Sequence, residues 1–319
     1  MLPTCRRFLS ALPALGLLNL PLRASAAAPV QVVTTTGMIA DAVRRTGGDL
    51  VEVKTLMGPG IDPHGYRQTR TDIVAMSRAD LILWNGLYLE AQLEDVLGDM
   101  TAITRVDPAV AEAIPADSLI GHDVYEGRFD PYVWMDPDLW SVVALRVRDM
   151  LIEMRPDAEA VFTANAAQFA TEIVSLGTYA DEVLLSVPEA SRVLVTAHDA
   201  FNYFGRRYGF EVAGIQGIST QSEAGLSRIS EIVDLLVERG IGAVFVESSV
   251  SDRNIRALTE GAAARGHSVS VGGELFSDAM GVPGTYEGTW LGMIDHNVTT
   301  ISRALGGVAP EAGWQGNLS

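Results

Sequence analysis

Short runs of β-branched and apolar residues alternate along the chain with longer stretches whose apolar positions recur at helical spacing. Runs over 30–36, 51–57, 80–86 and 103–107 predict strands, and the stretches 39–47, 71–77 and 90–100 predict helices between them. The pattern begins again after residue 190. Strands are expected over 192–196, 211–215, 243–247 and 268–271, with helices over 200–208, 226–239 and 253–265. Strand and helix alternating twice over predicts an α/β fold of two lobes, each a mainly parallel sheet flanked by helices.

Between the two sets, residues 156 to about 186 contain one glycine, Gly177, and no proline after Pro156. Val161, Phe162, Phe169, Ile173, Leu176, Val183 and Leu184 recur at helical spacing. A single helix here would be about 45 Å long at 1.5 Å per residue, enough to run along both lobes and tie them together. The other reading is two shorter helices broken at Gly177. The expected organisation is a signal peptide over 1–26, an N-terminal lobe over 27–155, a connecting helix over 156–187 and a C-terminal lobe over 188–319.

The first residues change the picture of where the protein works. Arg6 and Arg7 precede an apolar stretch over 8–22, and Ala24-Ser25-Ala26 supplies the small-x-small pattern that signal peptidase cleaves after. The stretch is short for a bilayer span. Cys5, the only cysteine, lies upstream of the stretch and not just after it, where a lipoprotein signal needs one. The expectation is a periplasmic protein, free of a lipid anchor and without disulfide or thiolate chemistry. Cleavage would remove Arg6, Arg7 and Arg23 and no acid, taking the formal charge from −17 to −20. Such an acidic surface argues against nucleic acid and anionic membrane as partners.

Signatures of catalysis are missing: no His-Glu-x-x-His, no Gly-x-Ser-x-Gly, no phosphate-binding glycine loop. Five histidines remain, at 64, 122, 198, 267 and 296. His64 lies just past the second expected strand, His198 at the end of the first strand of the second half, and Asp278 after the last. Ligands of open α/β sheets bind outside the carboxyl ends of strands. Two lobes facing each other would bring these loops to one cleft, and imidazole and carboxylate are the usual ligands of zinc and manganese. Spacing alone equally allows each to be an ordinary polar loop residue. Glu247 ends a strand near the same cleft and could accept a hydrogen bond from a ligand histidine. His267 reads as part of a solvent-facing turn and His296 as a capped or core residue of a C-terminal helix.

Six segments, in order along the chain, resemble the metal-specific family of ABC-importer solute-binding proteins, and most closely its TroA-like zinc/manganese branch. They are Asp62-Pro63-His64; Ala79-Asp80-Leu81-Ile82 with Asn85-Gly86 and Leu89-Glu90; Phe129-Asp130-Pro131-Tyr132-Val133-Trp134 with Asp136; Thr196-Ala197-His198-Asp199-Ala200-Phe201; Gln216-Gly217-Ile218-Ser219-Thr220; and Gly272-Gly273-Glu274-Leu275 with Ser277-Asp278. The resemblance implies two lobes, a long connecting helix, a four-ligand metal between the lobes and a membrane permease of an ABC importer as partner, with the protein acting as a monomer. It carries His64, His198 and Asp278 over as ligands.

The departure is Tyr132, where the family pattern has histidine. Tyr132 could coordinate through its phenolic oxygen, His122 could enter from the preceding loop, or the protein could supply three ligands and water the rest. Exchanging a nitrogen donor for an oxygen donor moves the set toward harder ions, so manganese is expected ahead of zinc, with iron(II) also compatible. Two other functions fit the same residues. One is a periplasmic metalloenzyme using metal-activated water, with Glu223 or Asp199 as base. The other is a metal-binding surface adhesin.

Overall fold

The computed structural model describes residues 28–106, 109–122, 125–221 and 225–318. The expected signal peptide, Cys5 and Glu223 lie outside the described residues. In the N-terminal half, β1 (Val30–Thr34), β2 (Val51–Thr55), β3 (Leu81–Leu83) and β4 (Arg105–Val106) form one sheet in the order β2-β1-β3-β4, every pair parallel. The Leu81-Ile82-Leu83 run of β3 is buried throughout, as a strand covered on both faces requires. Helices α1 (Gly37–Gly47), α2 (Arg70–Met76) and α3 (Glu94–Met100) connect the strands.

An unexpected helix follows, α4 (Pro137–Met154). Its start is well marked: the Asp136 carboxylate accepts from the Asp138 N–H, and Pro137 occupies the first turn, where no N–H is needed. The connector is one unbroken helix, α5 (Glu159–Leu185), of 27 residues, about 40 Å long. Gly177 does not break it, and faces Pro137 of α4.

The second half holds β5 (Val193–His198), β6 (Glu211–Gln216), β7 (Ala243–Glu247) and β8 (Ser270–Leu275), with α6 (Asn202–Tyr208), α7 (Leu226–Arg239), α8 (Arg253–Ala264) and α9 (Trp290–Ala304). β5 pairs with β6 and β7 with β8, both parallel, and the two pairs meet along β5 and β7. Two strands run further than the sequence pattern suggests. β5 reaches His198 itself, and β8 runs to Leu275, three residues short of Asp278.

The lobes are not independent beads. α5 is tied to the N-terminal lobe by Arg45, which pairs with Glu172 at 2.8 Å and lies over the Phe169 ring. It is tied to α9 through Tyr179–Thr299 (3.1 Å) and through Ser302, whose hydroxyl donates to the Val183 carbonyl at 3.2 Å. Trp290 of α9 stacks on Trp140 of α4, with ring centroids 5.9 Å apart, and takes Phe169 edge-on. Its backbone N–H donates to Asp41 of α1 at 3.0 Å. One apolar core thus runs from the first sheet through α4, α5 and α9 into the second half. Among the described residues no helix is long and apolar enough to cross a membrane.

Candidate metal centre

Three loops and one strand end meet between the lobes. His64 is held by its own turn: Asp62 Oδ1 accepts the His64 N–H at 2.8 Å, an Asp-x-x turn that Pro63 pre-sets. The other Asp62 oxygen takes the Thr220 hydroxyl of the opposite lobe. His198 is the last residue of β5, and both of its outer atoms are engaged by Glu247 at the end of the adjacent β7. Glu247 Oε1 accepts the His198 N–H at 2.9 Å, and Oε2 lies 2.6 Å from Nδ1. Such a contact fixes the proton on Nδ1 and leaves Nε2 facing the cleft. Asp278 follows β8, and its Oδ2 accepts the Ser249 hydroxyl at 2.6 Å.

Tyr132 enters from the third side, just before α4. Its N–H donates to Asp130 Oδ1 at 2.9 Å, while Asp130 Oδ2 takes Asn202 of α6 at 3.0 Å. The ring packs edge-on against Trp134, whose Nε1–H donates to the Ser277 carbonyl at 2.9 Å. From there the Tyr132 hydroxyl reaches His64 Nε2 at 2.7 Å, His198 Nε2 at 2.7 Å and Asp278 Oδ1 at 3.0 Å. The Ile218 carbonyl lies 3.3 Å away. His198 Nε2 and Asp278 Oδ1 are 3.5 Å apart. Without Tyr132, no three His, Cys, Asp or Glu side chains among the described residues are close enough to hold an ion in this conformation.

Tyr132 and His198 are wholly buried, and His64 and Asp278 nearly so. Burial depresses the His64 imidazole. For His198 burial acts the same way, but the Glu247 and Asp278 carboxylates overcome it and hold the ring well above its ordinary value. Burial would raise Asp278, yet His198 and His64 beside it bring it to about 2. Burial, and then Asp278, push the Tyr132 phenol well above 10. Burial also lifts Asp130 to about 7. The set is therefore one carboxylate, two imidazoles and a neutral phenol on a single point. A small cation of high charge fits that chemistry, since it would replace the protons these groups now share.

The remaining histidines stand elsewhere. His122 lines a cavity of about 210 Å³ together with His64, Tyr88, Tyr125 and Pro131, and its Nδ1 accepts the Tyr125 N–H at 3.2 Å. The hydrogen bonds of Tyr132 do not include it. His267 and His296 place Nε2 2.7 and 2.9 Å from the carbonyls of Ile241 and Glu274. Both are structural contacts to strand ends.

Several further participants have roles that the sequence signals only in part. Asp62 was readable as a turn residue from Asp-Pro-His. Ser249, in an ordinary Glu-Ser-Ser-Val run, carries no such signal. Glu90, expected to begin a helix, is instead a wholly buried clamp. It takes the Thr35 hydroxyl at 2.6 Å and the N–H groups of Asn85 and Gly86 at 2.8 and 3.0 Å. That turn needs Gly86, which has φ +81° and would drive a Cβ into Ala109. Asn85 then donates to the Pro131 carbonyl at 3.2 Å, next to Tyr132.

Comparison with known proteins agrees with this architecture. A family model described as ZnuA, zinc-uptake complex component A, periplasmic, matches residues 32–304. The manganese-binding lipoprotein MntA of Bacillus subtilis is 46% identical over 282 residues, covering 88% of this chain and 91% of that one. The zinc-binding protein TroA of Treponema pallidum is 45% identical over 274 residues, covering 86% and 88%. The solved structure of TroA superimposes with a TM-score of 0.84 over 87% of this chain and 99% of its own. The iron-binding protein YfeA of Yersinia pestis is 30% identical over 276 residues, covering 86% of each. The chain belongs to the ZnuA family of periplasmic metal-uptake components, in the branch typified by TroA.

Proposed function

We propose that this protein captures one divalent transition-metal ion between its lobes and delivers it to the membrane permease of an ABC importer. The observation that carries the reading is the meeting of His64 Nε2, His198 Nε2 and Asp278 Oδ1 around a single buried point. Those three are the ligands in this proposal, with Glu247 fixing the tautomer and orientation of His198. Two imidazoles and a carboxylate leave room for oxygen donors from water, a set that suits manganese first, zinc next, and also iron(II). Relatives named for manganese, zinc and iron support that range.

In this reading residues 1–26 direct export, 27–155 and 188–319 are the two lobes, and 156–187 connect them. The protein works outside the cytoplasm as a monomer, without nucleic acid. MntA is named a lipoprotein; the position of Cys5 ahead of the apolar stretch supports a chain lacking that attachment. A binding role is supported by the family match and by relatives named for the metals they bind.

Elemental analysis of the exported protein, purified without chelator, is the direct test. About one manganese or zinc per chain is expected. A protein that carries no transition metal, and takes up neither ion on titration, would remove the proposal.

A further inference from the structure

The Tyr132 hydroxyl stands at the point where the three proposed ligands meet, 2.7, 2.7 and 3.0 Å from their donor atoms. Bonds from zinc to imidazole nitrogen or carboxylate oxygen are about 2.0–2.2 Å, so an ion serving all three donors would need that same space. Side-chain length explains the position. A tyrosine extends beyond a histidine by roughly one metal–ligand bond, ~2 Å. A histidine at 132 would stop short and face an ion; the tyrosine reaches into the ion's place. The fold holds it there, through Asp130 on its backbone and Trp134 against its ring.

The Tyr132 hydroxyl engages all three donor atoms in this state. The phenol hydroxyl donates to Asp278 Oδ1 and lies within hydrogen-bonding distance of Nε2 of both His64 and His198. On its other side His198 Nδ1 faces Glu247 Oε2 at 2.6 Å.

We propose that Tyr132 is an internal stand-in for the cargo: its hydroxyl satisfies the three ligands in the metal-free protein, and a metal enters only by displacing it. The inference rests on the metal-site reading above. Buried polar groups are costly to leave without partners. The hydroxyl therefore stabilises the empty protein relative to the loaded one and lowers affinity by that difference. It also eases unloading, because the departing ion is replaced at once by a group of the protein itself. A cavity of about 210 Å³ lies on the far side of His64, walled by Pro131, Ile218, Leu87 and Tyr88. Tyr132 thus sets affinity and release, and is not a ligand.

The two roles differ in the sign of one substitution. Competition titrations with manganese(II) and zinc(II) chloride on the exported wild-type chain, Tyr132→Phe and His198→Ala would read it. Tyr132→Phe is expected to bind both ions more tightly, by about tenfold, the worth of one net hydrogen bond. Its metal-free form should melt at a lower temperature than the wild type. Loading the wild type should produce no phenolate absorbance. Weaker or unchanged binding in Tyr132→Phe, or a phenolate band on loading, would overturn the proposal. His198→Ala separates the two levels: wild-type affinity there would overturn the site itself, whatever Tyr132 does.

Discussion

Replacing His198 by alanine is expected to lower metal affinity by at least about a hundredfold, or roughly 2.7 kcal/mol. The ring does two things at once. It offers Nε2 to the central point, and through Nδ1 it neutralises Glu247, which is buried and lies 2.6 Å away. Removing it takes one of three ligands and leaves two buried carboxylates, Glu247 and Asp278, without their cationic partner. Breaking a buried pair from one side is costly in itself, by about 3–5 kcal/mol. The variant should therefore also unfold more easily. Glu247→Gln isolates the orienting part, since it keeps the side-chain shape and the imidazole. A loss of about 10–100-fold is expected there, as for other outer partners of metal-ligating histidines. Chelator competition, with circular dichroism to confirm folding, measures both. A folded His198→Ala protein with undiminished affinity would contradict the assignment.

Trp290→Ala is expected to cost about 3–5 kcal/mol of stability, the range for deleting a buried tryptophan side chain. Few residues here join so many parts. Its ring stacks on Trp140 and meets Phe169, its Nε1–H donates to the Trp134 carbonyl at 3.0 Å, and its backbone N–H donates to Asp41. Helices α1, α4 and α5 all touch it through those partners. The damage should reach the centre as well, because Trp134 packs on Tyr132 and holds the Ser277 carbonyl beside Asp278. Denaturant unfolding should show a lowered midpoint with an unchanged slope if the loss is one of packing alone. A shift worth less than about 1 kcal/mol would mean that the shared core is not what couples the lobes.

Most of the fold was legible because parallel sheets covered on both faces leave continuous apolar runs. β3 and β5 are such runs, and the connector declared itself through Phe162, Phe169, Ile173, Leu176, Val183 and Leu184 on one face. α4 also leaves a helical pattern in the sequence, with Leu139, Trp140, Val143, Val147, Met150 and Leu151 at helical spacing. The late start of α3 was hidden, because nothing in Leu89-Glu90 says that the carboxylate turns back onto Asn85 and Gly86. At the candidate site, strand-end placement singles out His64, His198, Asp278 and Glu247 in the sequence. The place of the Tyr132 oxygen was not readable. It depends on side-chain length set against the distance between the lobes, and that distance is fixed by Trp290, Trp140 and α5, far away in sequence. Ser249 was invisible for the same reason, being a partner only once β7 and β8 are laid side by side.

The most direct test of the account is a crystal of the manganese-loaded protein, with anomalous diffraction collected at the manganese edge. One peak is predicted between the lobes, at bonding distance, about 2.0–2.3 Å, from His64 Nε2, His198 Nε2 and Asp278. No peak there, or the principal peak on another set of residues, would contradict it.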